Sequence, residues 1–227
     1  MNISELRSQL EEDLAWRLDE LRHLRNSLLG SIDRDNWPVA AVRAILVMQY
    51  AHLEGFTRQA FSVYVSAINE RQLVANDVQA SVFASALVAE FDALRLGSGG
   101  DQESDEGRLT RRAKTQVEFV EKLRRLNEGP LVIDASSAVS MEMNFGRDVL
   151  RRTLFRLGIP EDAVSKEYYN SLEFVRTMRN DIAHGTRKNR IEPGLFEAHR
   201  AKCEAFMNDL ARVITSAVTN EWFRCAS

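Results

Sequence analysis

Turn-forming residues are scarce in this 227-residue sequence, which contains 11 glycines and 4 prolines. β-Sandwiches and β-barrels need a turn about every 8–12 residues, and glycine, proline and asparagine supply most of those turns. The scarcity therefore argues against both architectures and favours long helices. A hydrophobic fraction of 44% and a charged fraction of 28% are typical of a globular protein, which excludes wholesale disorder.

Cysteines and long apolar runs are also scarce. Both cysteines, Cys203 and Cys225, lie in the final stretch of the chain with none elsewhere, which excludes a disulfide-stabilised miniprotein and favours a reducing, cytoplasmic location. The longest apolar stretch, around residues 38–48, contains Arg43 and is shorter than the ~18 residues of a membrane span. The first residues alternate charges with leucines, where a signal peptide needs an uninterrupted apolar segment. We therefore expect no membrane association.

Excess charge of one sign is small, because the net charge is only −3, so the molecule as a whole is not a general binder of polyanions. Positive charge is nevertheless concentrated in three segments of the second half. Residues 108–125 hold seven basic and two acidic residues, residues 147–156 four and one, and residues 176–190 five and one. Such local charge suits phosphate binding, although a solvated basic helix face explains any single segment as readily.

The hydrophobic periodicity of the first half predicts an all-α chain. Leucines at steps of three and four predict an amphipathic helix over residues 3–29. Pro38 suits a first helical position, and residues 39–69 are apolar on most faces, which predicts a central buried helix. A third helix is expected over about residues 76–96.

Residues 97–107, with the sequence GSGGDQESDEG, are predicted to form a flexible insertion loop because they combine glycine, serine and acids. We interpret them as an insertion and not as a linker, because neither flank alone offers a closed set of apolar faces. Residues 1–227 are therefore expected to form a single domain.

The second half of the chain is expected to hold four more helices. They cover about residues 108–127, 144–157, 166 or 168 to 185, and 192–222. Gly158 and Gly185 are predicted helix stops. Residues 130–141 lack a helical period and are expected to be extended or irregular.

The string RNDIAHG, residues 179–185, carries the clearest chemical signal. Arginine offers two parallel donors to a phosphate, and histidine exchanges protons near neutral pH because its ordinary pKa is ~6.5. The pair suits RNA cleavage, in which the 2′-hydroxyl is the nucleophile and no metal is needed. In most proteins, however, a helix-terminal histidine and glycine after an arginine form only a solvated cap, and this alternative stays open.

The spacing within the string imposes a geometric constraint. On an α-helix, Arg179 and His184 lie about 140° apart around the axis and about 7.5 Å apart along it, so they do not share a face. Either the helix bends or ends between them, with Asn180 or Asp181 capping a new turn, or the site combines the motifs of two copies of the chain.

This R-x4-H string, with asparagine after the arginine, resembles the signature of the HEPN superfamily, the higher-eukaryote and prokaryote nucleotide-binding domains. YAHLEGF, residues 50–56, and the late helix after the motif are similar to a bacterial HEPN subfamily predicted to act as ribonucleases. The resemblance covers roughly residues 5–222. It implies an up-and-down helical bundle, here with extra helices and an acidic glycine-rich loop, and it favours a homodimer whose paired motif helices line one cleft.

The activity that the resemblance implies is metal-independent endoribonuclease cleavage, leaving a 2′,3′-cyclic phosphate and a 5′-hydroxyl, without a cofactor. The protein is expected to be a toxin or an antiviral defence effector, with RNA as substrate and an antitoxin or a defence protein as partner. Thr186 stands where some HEPN toxins carry a tyrosine that a nucleotidyltransferase modifies, which makes that mode of neutralisation doubtful. The alternatives are a non-catalytic HEPN module that binds RNA, a nucleotide or a protein, and a purely structural adaptor.

Candidate site residues follow from the motif and from the local charge. Arg179 and His184 are predicted to be catalytic, Asn180, Asp181 and Glu54 to support them, and Arg176, Arg187, Lys188 and Arg190 to bind RNA.

Two further signals stand outside the motif string. A glycine within a helix costs about 1 kcal/mol relative to alanine, so Gly55 predicts the close approach of another element. Its neighbour Glu54 could reach Arg179 or His184, or form only a structural salt bridge. His199 and Cys203 have the spacing of half a metal site, but no second ligand pair is visible and no metal is expected.

Overall fold

The computed structural model describes residues 2–96, 105–141, 144–186 and 188–225. Within these residues the chain forms nine α-helices and no β-strand. The helices are α1 (Ile3–Leu29), α2 (Val39–Asn69), α3 (Ala80–Ser85), α4 (Val88–Leu96), α5 (Asp105–Glu128), α6 (Ala135–Ala138), α7 (Arg147–Arg156), α8 (Tyr169–Ala183) and α9 (Pro193–Thr219). The all-α prediction is confirmed. No helix in these ranges is both long and apolar enough to cross a membrane.

The centre of the fold is α2, which contacts α1, α8 and α9. Large side chains such as Leu53, Phe56 and Phe61 are fully buried along it, as expected for a helix that is apolar on most faces. The first turn of α1 has a capping box, in which Asn2 and Glu5 each accept a backbone N–H of the other. These four helices form the bundle that places the motif beside the core.

The third predicted helix, expected over about residues 76–96, starts later and is not continuous, so this expectation was wrong in two respects. Residues Ala75–Asp77 form a separate 3-10 turn, and α3 begins only at Ala80. Ala86 and Leu87 separate α3 from α4. α3 contacts α7, whereas α4 contacts α5 and α6, so the two halves follow different neighbours. The Ser85 hydroxyl donates to the Arg156 carbonyl at 2.8 Å and holds the end of α3 against α7.

The predicted insertion loop is shorter at its C-terminal end than expected. Residues 105–107 already belong to α5, and residues 97–104 lie outside the described residues.

Residues 130–141 were expected to be extended or irregular, and residues 130–134 have no regular secondary structure before the one-turn helix α6. There the Asn69 amide pairs with both the N–H and the C=O of Ile133, at 2.9 Å each. This pairing ties the segment to the end of α2.

Two glycines end helices of the second half, as predicted. Gly158 after α7 and Gly185 after α8 have φ values of +70° and +69°, in the left-handed region that side chains disfavour. Their surroundings differ. A Cβ on Gly158 would lie 2.9 Å from Val82 Cγ2, whereas a Cβ on Gly185 would meet no atom within 4 Å.

This difference gives a stability prediction. Gly185→Ala should lower the free energy of unfolding by about 1–2 kcal/mol, the cost of a left-handed alanine. Gly158→Ala should lower it further, because its methyl group also displaces Val82. Urea denaturation of the parent and both variants measures the two changes. Equal losses would contradict the packing argument.

Candidate active site

The motif lies at the C-terminal end of α8, which runs without interruption from Tyr169 to Ala183. The His184 N–H donates to the Asn180 carbonyl at 2.9 Å, so the last turn is helical. α8 ends at Ala183, between the two motif residues, with His184 as its C-cap residue, but neither Asn180 nor Asp181 caps a new turn, so this part of the first geometric alternative is wrong. Arg179 and His184 therefore project from one regular helix in different directions.

Arg179 is held against the core by two contacts. Its guanidinium carbon lies 4.9 Å from the centroid of the Tyr50 ring, a cation–π contact between α8 and α2. Its Nη1 donates to Asn180 Oδ1 at 2.9 Å. Tyr50 is 2% exposed and Arg179 is half-buried. The guanidinium is thus oriented by a buried ring on one side and by an amide at its edge.

A polar network continues from this arginine to the start of α7. Asn180 Nδ2 donates to Asn144 Oδ1 at 3.1 Å, and Arg176 Nη1 lies 3.5 Å from the same oxygen. Glu173 accepts from Arg176 Nη2 and from the Arg147 backbone N–H, both at 2.7 Å. The Glu173 carboxylate therefore satisfies the N-terminus of α7 while it holds Arg176.

His184 is exposed, in contrast to Arg179. The turn behind it is closed by the Thr186 N–H and hydroxyl, which donate to the Asp181 carbonyl at 3.0 and 3.1 Å. Among the residues that the structure describes, no side chain donates to or accepts from the imidazole. The backbone position of His184 is fixed, and its ring faces solvent.

Glu54 lies one turn beyond Tyr50 on α2 and pairs with Arg58 at 2.8 Å. Glu54 acts on the candidate site through Tyr50. Burial, and then the Glu54 carboxylate, raise the pKa of Tyr50, while Arg179 acts in the opposite direction. The prediction that Glu54 belongs to the site environment fits this placement, but its ion-pair partner is Arg58 and not a motif residue.

Gly55 is approached closely, as predicted, but by a side chain and not by backbone. A Cβ at this position would lie 2.6 Å from Nη1 of Arg17 on α1. Arg17 is itself held by Asp13, with its Nε at 2.8 Å from the carboxylate. The missing side chain of Gly55 thus makes room for a partly buried ion pair of α1 that faces α2.

The basic residues predicted to bind RNA have different surroundings where the structure describes them. Arg176 is engaged by Glu173, and Lys188 is exposed in the connection between α8 and α9. Arg190 donates to the Arg34 carbonyl at 2.9 Å, in the turn before α2. Arg187 lies outside the described residues.

His199 and Cys203, which have the spacing of half a metal site, are both engaged in packing contacts. The His199 ring stacks on Phe174 with centroids 3.9 Å apart, and its Nδ1 lies 3.0 Å from the Ser171 hydroxyl. Cys203 is buried, and burial raises its thiol pKa to about 12. In the described part of the chain, no group of three or more His, Cys, Asp or Glu side chains could hold a metal ion.

Three contact residues of the network are absent from the sequence-based prediction: Tyr50, Asn144 and Glu173. Tyr50 had a detectable signal, because it stands four residues before Glu54 in the YAHLEGF string and so shares its helix face. Asn144 and Glu173 had none, since their contacts join α7 to α8 across 26 or more residues.

Comparison with known protein families gives a match over almost the whole chain. A family model described as MAE_28990-like HEPN matches residues 6–223, from the first turn of α1 to beyond the end of α9. The matched range includes the R-x4-H string, Tyr50 and Glu54. Neither a curated protein nor a solved structure matches the chain.

The tyrosines give a prediction for pH. The pKa values of all four are raised, chiefly by burial, with nearby carboxylates adding to the effect at Tyr50, Tyr168 and Tyr169; that of Tyr168 is about 12. Because the folded state favours the neutral phenols, the contribution of the tyrosines to stability should be constant up to about pH 9 and fall as the pH rises above the ordinary tyrosine value of ~10. Tyrosinate absorbance and urea midpoints measured at matched pH test this. Ionisation of all four native tyrosines near pH 10 would contradict it.

Proposed function

The chain belongs to the MAE_28990-like HEPN family, and from this premise we propose that it is a metal-independent endoribonuclease. Family membership supports a function related to nucleotides or RNA. The specific reaction rests on the R-x4-H pair. In that reaction the 2′-hydroxyl of RNA attacks the adjacent phosphorus and the bond to the 5′-oxygen breaks. The products are a 2′,3′-cyclic phosphate and a 5′-hydroxyl.

The two motif residues have complementary roles in this proposal. Arg179 binds the non-bridging oxygens and stabilises the charge that builds up on the phosphorane. His184 transfers the proton between the 2′-hydroxyl, the leaving 5′-oxygen and solvent. The observation that carries the proposal is their contrast: the arginine is oriented by Tyr50 and Asn180, and the histidine is free to reach a substrate.

A second copy of the chain completes the proposed site. Because α8 is continuous, Arg179 and His184 of one chain diverge by about 140°. Two motif helices related by a twofold axis bring the arginine of one chain towards the histidine of the other. Asn180 and, across the last turn, Asp181 maintain the helix end in this arrangement, and we assign RNA binding to the positive charge of Arg176, Arg187, Lys188 and Arg190.

The biological role that we attach to this activity is that of a cytoplasmic toxin or antiviral defence effector that a partner protein holds inactive. The second candidate function is a non-catalytic module that binds RNA or a nucleotide. One observation favours it: no described side chain orients the His184 ring, whereas catalytic bases are usually held by a third group.

Single substitutions should separate the two roles. His184→Ala should lower single-turnover cleavage of total RNA in EDTA by about 10²–10⁴-fold and leave RNA affinity nearly unchanged. Arg179→Ala should lower both, and Arg179→Lys should restore little, because an ammonium cannot reproduce the planar fork. Cleavage assays and filter binding measure the two quantities after circular dichroism has shown unchanged helices.

The matched control is His23→Ala, since His23 is also an exposed helix histidine but lies on α1. It should cleave like the parent. If His184→Ala also cleaves like the parent, the nuclease proposal fails. RNA binding without cleavage by the parent would support the binding module instead.

Mixing variants tests the composite site. We expect a dimer of about twice the 25.8 kDa chain mass by light scattering. A mixture of Arg179→Ala and His184→Ala chains should regain about a quarter of the parental rate. Half of the dimers are then mixed, and each mixed dimer has one intact site that takes its arginine and its histidine from different chains. A monomer under turnover conditions, or no recovery on mixing, would rule out sharing.

A further inference from the structure

A surface groove lies between α2 and the segment around α6, beside the candidate active site. Its walls include Arg58 and Ser62 from α2, Ser136 and Ser140 from the α6 segment, and the side chain of Met141. Its chemistry complements that of a nucleotide, because it offers one cation for a phosphate, several hydroxyls for hydrogen bonds and an apolar surface for a base.

The groove is linked to the motif through a row of residues on α2. Tyr50, Glu54, Arg58 and Ser62 follow each other at steps of four residues, so adjacent members are neighbours on the helix surface, and the row turns by about 40° around the axis at each step. Tyr50 lies under Arg179, Glu54 pairs with Arg58, and Arg58 lines the groove. Eight residues of α-helix separate Tyr50 from Arg58, a distance of about 12 Å along the axis.

Arg58 is suited to a phosphate at this distance. Its side chain is 54% exposed, and its ion pair with Glu54 uses only Nη2. Within the described residues, Nε and Nη1 form no hydrogen bond. Glu54 fixes the arginine without covering it, and the exposed guanidinium keeps Nε and Nη1 available to a ligand.

We infer that this groove binds the single-stranded RNA that flanks the scissile bond, with Arg58 on a backbone phosphate. The inference rests on the proposed function and deepens it, because it assigns the direction in which the strand leaves the active site: along α2, from Tyr50 towards Ser62. A single strand fits better than a duplex, since the contacts come from one helix face and one short segment.

Salt dependence of binding tests the phosphate contact. In a His184→Ala background, which is silent in cleavage under the proposed function, Arg58→Gln should weaken binding of a labelled single-stranded RNA by about 3- to 10-fold and reduce the salt slope by about 0.7. Arg58→Lys should retain the slope. Ser62→Tyr should weaken binding by filling the groove, with the slope unchanged.

The matched control is Arg7→Gln. Arg7 on α1 is 60% exposed and pairs with Glu11 four residues away, as Arg58 pairs with Glu54, but it lines a different surface. It should leave the affinity and the slope as they are. If Arg58→Gln and Ser62→Tyr both bind like the parent background, or if Arg7→Gln has the same effect as Arg58→Gln, the groove assignment is overturned.

Kinetics separate this assignment from the proposed function. In the active chain, Arg58→Gln should raise the RNA concentration needed for half-maximal single-turnover cleavage and leave the plateau rate unchanged, because a flanking contact acts equally on the ground and transition states. Shortening the substrate on one side of the cleaved bond should abolish the difference between parent and variant. Cleavage that depends on His184 but not on Arg58 would overturn the groove and leave the nuclease proposal standing.

Discussion

Burial of α2 is the constraint on which the rest of the molecule depends. The helix is surrounded by α1, α8 and α9, and each of its sides packs against a different neighbour. Three polar side chains give α2 specific partners, on its α1 side, on its α8 side and at its C-terminal end: His52 lies 2.7 Å from Glu20 of α1, Tyr50 lies under Arg179 of α8, and Asn69 pairs with the backbone of Ile133. Each is a specific partner in a mainly apolar interface, and such partners select one packing arrangement among many of similar hydrophobic energy.

The elements that could be predicted from the sequence are those whose signal is local. The leucine spacing predicts α1 over 3–29 and the apolar run predicts α2 over 39–69, and the structure has the same bounds for both helices. The break between α3 and α4 could not be predicted, because the two helices pack against different distant neighbours, and the Ser85 hydroxyl at the end of α3 reaches a carbonyl 71 residues away. Periodicity reports which face of a helix is apolar, but not which neighbour that face will meet.

The candidate site divides in the same way. The R-x4-H string and its helical position were predictable, since both lie within one segment. The orientation of Arg179 was not, because Tyr50 is 129 positions earlier in the chain and reaches the arginine only through the packing of α2 on α8. Local chemistry therefore identifies the reactive groups, whereas tertiary packing decides which of them are held in place.

That difference bears on how an HEPN-type pair can work in this chain. Ordering a flexible arginine side chain costs up to about 2 kcal/mol of conformational entropy. The Arg179 side chain is already ordered in the folded chain by its contacts with the Tyr50 ring and the Asn180 amide. His184 has no such support, so its ring must be ordered by whatever approaches the end of α8. Under the proposed function, the His184 ring is ordered by the second chain, by the RNA or by both. Catalytic geometry is then a property of the assembled complex, and a protein that covers the end of α8 would suppress cleavage without touching the arginine.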